Sequence, residues 1–189
     1  MRKLTHQELL QRQQSAELND LLPFCVVVNN VRSLYNVGAL FRTADGAGLE
    51  KVWLCGITGV PPAAMISKTA LGAEERIPWE YRESAFELLG ELRGRGYEIV
   101  HLEQTTASRS YCDYHPTGRL CLVVGNEVTG VTENLISKED KAIEIEMSGV
   151  KNSLNVAVAF GIAAYHIRQG LLSGLRGCES KSCSETSGK

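Results

Sequence analysis

No apolar run in this 189-residue chain approaches the roughly 20 residues that span a bilayer, and the opening MRKLTHQELLQRQQ lacks the apolar block of a secretion signal. The expectation is a cytoplasmic protein without a membrane partner. Twenty Lys and Arg against 22 Asp and Glu leave a net charge of −2, so no global positive field draws the molecule to nucleic acid. Any RNA contact must come from a local patch. The chain has no GxGxxG and no Walker GK[ST], which removes the main support for dinucleotide or nucleoside-triphosphate binding. Its six cysteines form none of the close CxxC pairs of zinc sites, so no metal is expected. Cys25, Cys55 and Cys121 lie in apolar runs as small hydrophobes, and Cys178 and Cys183 lie in a polar tail.

What is present is an alternation of short apolar strands and helices. FCVVVNNV (24–31), KVWLCGI (51–57), YEIVHLE, RLCLVVGNE and KAIEIEM read as strands. YNVGALFRTADGAG, ESAFELLGELRGRG, the short TENLISKE and a final helix over 153–169 read as helices. Residues 58–82 form a long excursion with short elements, of the kind that is often functional. The pattern predicts an α/β domain with a mainly parallel sheet flanked by helices. The expected organisation is an amino-terminal helical arm over 1–22, one domain over 23–170 and a disordered Ser/Gly/Lys/Glu tail over 171–189.

In an open α/β sheet, ligands bind beyond the carboxyl ends of the strands. Three strand-to-helix junctions therefore hold the candidate residues. In the first, Asn36 reads as a helix cap or a site residue. Arg42 lies about 140° around the helix from Val37, off the apolar stripe; it reads as a solvated cation or as a fork of donors for phosphate. In the second, Gly125 lets backbone approach a ligand, with Asn126 and Glu127 at the ligand-facing edge. In the third, MSGVKNSLN, Asn152 or Ser153 would cap the last helix and Asn155 would fall in its first turn.

Taken together and in order, NVGALFRTADGAG, LVVGNEVTGV and IEMSGVKNSLNVAVAFGIAAY resemble the three motifs of the SpoU (TrmH-like) family of RNA 2′-O-ribose methyltransferases, in the SPOUT superfamily. The resemblance covers roughly residues 24–168. It implies a domain whose carboxyl-terminal part is threaded into a trefoil knot, a homodimer, and an S-adenosylmethionine pocket built mainly from backbone at Gly125, Ile145, Met147 and Leu154. The positions that match the family's catalytic set are Asn36, Arg42, Glu127, Ser153 and Asn155. Where the family has proline before the motif-three methionine, this chain has Glu146, so that strand end lacks a fixed φ. The implied reaction is methyl transfer to a ribose 2′-hydroxyl, with tRNA favoured over rRNA because only a short arm precedes the domain. A non-catalytic RNA-binding or assembly protein of the same fold is the alternative, and a generic small-metabolite enzyme is a third.

Overall fold

The computed structural model describes residues 1–15 and 22–182. Its first element is α1 (His6–Ser15), opened by a reciprocal cap: the Glu8 amide donates to the Thr5 hydroxyl at 3.3 Å, and the Thr5 amide donates to the Glu8 carboxylate at 2.7 Å. Then come β1 (Leu22–Asn29), α2 (Leu34–Ala47), β2 (Leu49–Cys55), α3 (Ala64–Ala70), α4 (Ala73–Arg76), β3 (Trp79–Arg82), α5 (Ala85–Gly94) and β4 (Glu98–Leu102). The rest comprises β5 (Arg109–Ser110), β6 (Leu120–Val124), β7 (Lys141–Glu144) and α6 (Val156–Ser182), with 3-10 turns at Tyr111–Asp113 and Glu133–Leu135.

The seven strands make one sheet in the order β3-β2-β1-β6-β4-β7-β5, with every pairing parallel. Side chains alternate across it. Phe24, Val26 and Val28 of β1 face a core completed by Val37, Leu40 and Phe41 of α2 and Phe160, Ala163 and Ile167 of α6. Cys25 and Val27 face the other layer, with Leu88, Leu89 and Leu92 of α5. Because both faces are covered, the central strands read as continuous apolar runs rather than alternating ones. Cys25, Cys55 and Cys121 are buried free thiols, and burial pushes the Cys55 thiol up to about 12. No described helix is long and apolar enough to cross a membrane.

Two helix starts differ from the sequence reading. Ser33, not Asn36, caps α2, its side chain accepting from the Asn36 amide at 3.4 Å. Asn155 itself caps α6, its Oδ1 accepting from the Ala157 amide at 2.9 Å, so it precedes the first turn. At the other end, α6 continues through Gly170 to Ser182, with Leu171 buried in the core beneath it and Leu172 packed against that core. The region expected to be a tail from residue 171 is thus helical up to Ser182, and residues 183–189, with Cys183, lie outside the described residues. So do residues 16–21 of the expected arm.

Beneath α5 a polar cluster is sealed into the second layer. His101 is 0% exposed, its Nε2 lies 2.8 Å from Asp140 Oδ2, and Arg93 reaches the same carboxylate at 2.6 and 2.9 Å. Burial holds the His101 imidazole below its ordinary pKa of 6.5 despite Asp140 beside it, which favours the uncharged ring in the folded protein at neutral pH. For Asp140, burial favours the neutral form, but hydrogen bonds from Arg93, His101 and the Ser137 amide outweigh it and hold the carboxyl below 3.8. Both groups therefore act in one direction. Below pH 6.5 the unfolded chain gains a proton on His101 that the folded protein refuses, and below pH 4 the same holds for Asp140, so stability is lost as pH falls. Thermal denaturation is expected to give a lower Tm at pH 5 than at pH 7. In His101→Gln, which keeps a donor to Asp140, the part of that decline above pH 5 should disappear.

Candidate active site

The carboxyl ends of β6, β4 and β7 open into a cavity of about 300 Å³. Its wall includes Leu102 to Gln104 at the end of β4, Val124 to Gly130 from the end of β6, Glu144 and Ile145 at the end of β7, and Asn152, Ser153 and Leu154 before α6. Gly125, Ile145 and Leu154, expected to bind a cofactor, therefore share one cavity with Glu127 and Ser153. Met147 does not line it.

The turn after β6 has a tightly determined shape. Asn126 and Gly130 exchange two backbone hydrogen bonds at 2.9 and 3.0 Å, and Asn126 Oδ1 accepts from the Val128 and Thr129 amides. Asn126 Nδ2 donates to the Asn30 carbonyl at 2.7 Å. This turn requires the glycine at 125, for a Cβ there would lie 2.2 Å from the backbone of Gly130. Gly125→Ala is expected to cost about 3 kcal/mol, the upper end for overpacking, since backbone and not a movable side chain must yield. Urea denaturation measures that loss, which should leave the slope with denaturant unchanged.

Beside the cavity, Glu127 gathers the start of α2. Its carboxylate accepts from the Arg32 amide at 3.0 Å, the Ser33 amide at 3.0 Å and Asn36 Nδ2 at 2.9 Å. Asn36 Oδ1 in turn accepts from Asn155 Nδ2 at 3.1 Å. A carboxylate can only accept, so it fixes the orientation of the Asn36 amide, and that fixes Asn155. Partial burial favours the neutral acid of Glu127, but its three donors outweigh that and hold the pKa below 4.5, so the carboxylate stays charged at neutral pH. Asn36, Glu127 and Asn155 thus form one chain of contacts, while Ser153 stands exposed in the cavity wall.

Arg42 is placed apart from this chain. It is exposed on α2, has no hydrogen-bonding or ionic partner among the described residues, and lies about 120° around the helix from Asn36. Four further residues contribute that the sequence reading passed over. Ser33 caps α2, and Asn30 joins the first junction to the second by accepting from Asn126, which the sequence had placed at the ligand-facing edge. Glu103 accepts from the Val131 amide at 2.7 Å, and Gln104 donates to the Asn152 carbonyl at 2.7 Å. The strand-end rule that selected the other junctions applies equally to the Glu-Gln step after YEIVHL, which was the available signal.

A wholly parallel α/β domain with an open cavity at its strand ends, and an ordered amide and carboxylate chain at the rim, has the build of a small-ligand-binding domain of the open-sheet class. The chain belongs to the SpoU rRNA Methylase family, whose profile matches residues 23–165. It is 32% identical over 166 residues to the 23S rRNA (guanosine-2′-O-)-methyltransferase RlmB of Vibrio vulnificus, covering 83% of this chain and 66% of that protein. Its structure is similar to the A. aeolicus TrmH/SpoU tRNA modifying enzyme, with a TM-score of 0.74 and 26% identity over 97% of this chain and 98% of the other. The AdoMet-bound rRNA methyltransferase from Sinorhizobium meliloti gives 0.73 and 27% over 80% of this chain and 59% of that one.

Proposed function

We propose that this protein transfers a methyl group from S-adenosylmethionine to a ribose 2′-hydroxyl of RNA, with tRNA the preferred substrate. The observation that carries this reading is the joining of the cavity walled by Gly125, Ile145 and Leu154 to the ordered Glu127–Asn36–Asn155 chain. The cavity suits the cofactor in two respects. Its volume falls at the small end of the range for ligand pockets, about 300–1,000 Å³, and Glu103, Glu127 and Glu144 in its wall complement a sulfonium and an ammonium group. Backbone at Gly125, Ile145 and Leu154 would hold the nucleoside, with Met147 contributing from the adjoining turn. The bound cofactor supplies an electrophilic methyl group on a good leaving group.

The remaining task of the protein is to present the nucleophile in line and manage its proton. Glu127, Asn36, Ser153 and Asn155 orient the ribose, and Arg42 stabilises the oxygen as it develops negative charge or holds an adjacent phosphate. DNA lacks the hydroxyl and is not a substrate. Extended likeness to the tRNA-modifying enzyme over nearly all of both chains supports tRNA over rRNA. The same reading includes a homodimer, a carboxyl-terminal trefoil knot formed by the turns after β6 and β7, and a cytoplasmic location. Two observations favour the dimer: Arg42 does not line the cavity of its own chain, and Val158 and Tyr165 leave apolar surface exposed on α6.

Incubating the purified protein with radiolabelled S-adenosylmethionine and total tRNA or rRNA tests the proposal. Label is expected in tRNA and, after nuclease digestion, in a 2′-O-methylnucleoside. Binding of tRNA without any transfer would instead support the non-catalytic RNA-binding reading.

A further inference from the structure

The turn from β7 to α6 is held by unusually little. Among the described residues, the only hydrogen bond made by residues 147–154 is the one from Gln104 Nε2 to the Asn152 carbonyl, at 2.7 Å. Residues 148–153 are exposed, with Val150 fully so. Yet this segment supplies Asn152, Ser153 and Leu154 to the cavity wall. Its carboxyl end is fixed where Asn155 caps α6 and bonds Asn36, and its amino end follows from the sheet, so between those anchors its position depends on Gln104.

Gln104 is itself well placed to act as a strap. Its amide donates to Glu103 Oε1 at 2.9 Å, while Glu103 Oε2 accepts from the Val131 amide. Following the contacts round, the end of β4 joins the turn after β6, that turn joins α2 through Glu127 and Asn36, Asn36 joins Asn155, and the segment before Asn155 returns to Gln104. The four chain segments around the site form a closed circuit. Gln104 is its single link to the middle of the 147–154 segment.

We propose that Gln104 is a positioning residue, holding Asn152 to Leu154 in the geometry that closes the cavity on its ligand. The proposal rests on the reading of the cavity as the S-adenosylmethionine site. A strap of this kind acts on ligand affinity and on the mobility of one segment, and hardly at all on global stability, because its side chain is exposed and buries no core surface.

Gln104→Met keeps length and removes the donor without adding charge near a cationic ligand. By calorimetry its dissociation constant for S-adenosylmethionine is expected to rise about five- to tenfold, the worth of one net hydrogen bond. In steady state the KM for S-adenosylmethionine should rise while that for tRNA stays within about twofold. Trypsin digestion of the ligand-free protein should cut faster after Lys151, in the middle of that segment, with the Tm unchanged. An unaltered dissociation constant with unaltered cleavage overturns the proposal, and so does a lowered Tm with equal losses for both substrates, which marks a merely structural role. If the wild type binds no S-adenosylmethionine, the functional reading falls, and the cleavage rate still decides whether Gln104 holds the segment.

Discussion

Arg42→Ala is expected to reduce methyl transfer about 10²- to 10³-fold, the loss seen when one preorganised donor to a developing oxyanion is removed. The same variant should bind S-adenosylmethionine as the wild type does, since Arg42 does not line the cavity. Its Tm should not change, because the side chain is exposed and unpartnered among the described residues. Arg42→Lys keeps the charge and loses the planar fork, and a partial recovery is the expected outcome. Single-turnover transfer with tRNA, paired with calorimetry, separates these effects. Full activity in Arg42→Ala would remove Arg42 from the site altogether.

The second large effect is expected at Glu127. In Glu127→Gln the single amide oxygen cannot accept from the Arg32 amide, the Ser33 amide and Asn36 Nδ2 together, and the new NH2 group faces donors. Asn36 then loses the contact that orients it, and Asn155 loses its fixed partner in turn. On the proposed role of this chain in orienting the ribose, the lost alignment is expected to cost about 10²-fold in rate. Wild-type transfer should hold through weakly acidic pH, because the Glu127 pKa is depressed: the charged network is complete above 4.5 and is lost only as pH falls through the lower folded value. Transfer measured from pH 5 to 8 should therefore show no limb from this carboxylate. Stability should change little, since Glu127 lies at the exposed rim and its donors can turn to water.

These two variants probe different parts of the arrangement. Arg42 has no hydrogen-bonding or ionic partner among the described residues, so its removal is expected to leave its neighbours in place. Glu127 is the hub for three donors, and its removal disorders neighbours whose own chemistry is intact. Glu146, where the family has proline, lies exposed beyond β7, next to the segment that Gln104 holds. Without the ring of proline to stiffen this stretch, a side-chain strap is the remaining restraint on it.

Much of this molecule was legible in its residues. Runs such as FCVVVN and LCLVV are apolar on both alternating faces, which only a strand covered on both sides tolerates, and the parallel sheet follows from them. The order of the three junction motifs pointed to the family, because each motif is a short contiguous stretch that can be read without the fold. The structure decided what depends on distant partners. Which asparagine caps a helix is set by where the backbone turns, and Ser33 and Asn155 took roles that spacing had given to Asn36 and to Asn152 or Ser153. Asn36 meets Glu127 across 91 residues and Asn155 across 119, while Gln104 meets Asn152 across 48. Local propensity carries no information about such pairs, for a hydrogen bond between separate loops exists only once the sheet has brought their strand ends side by side.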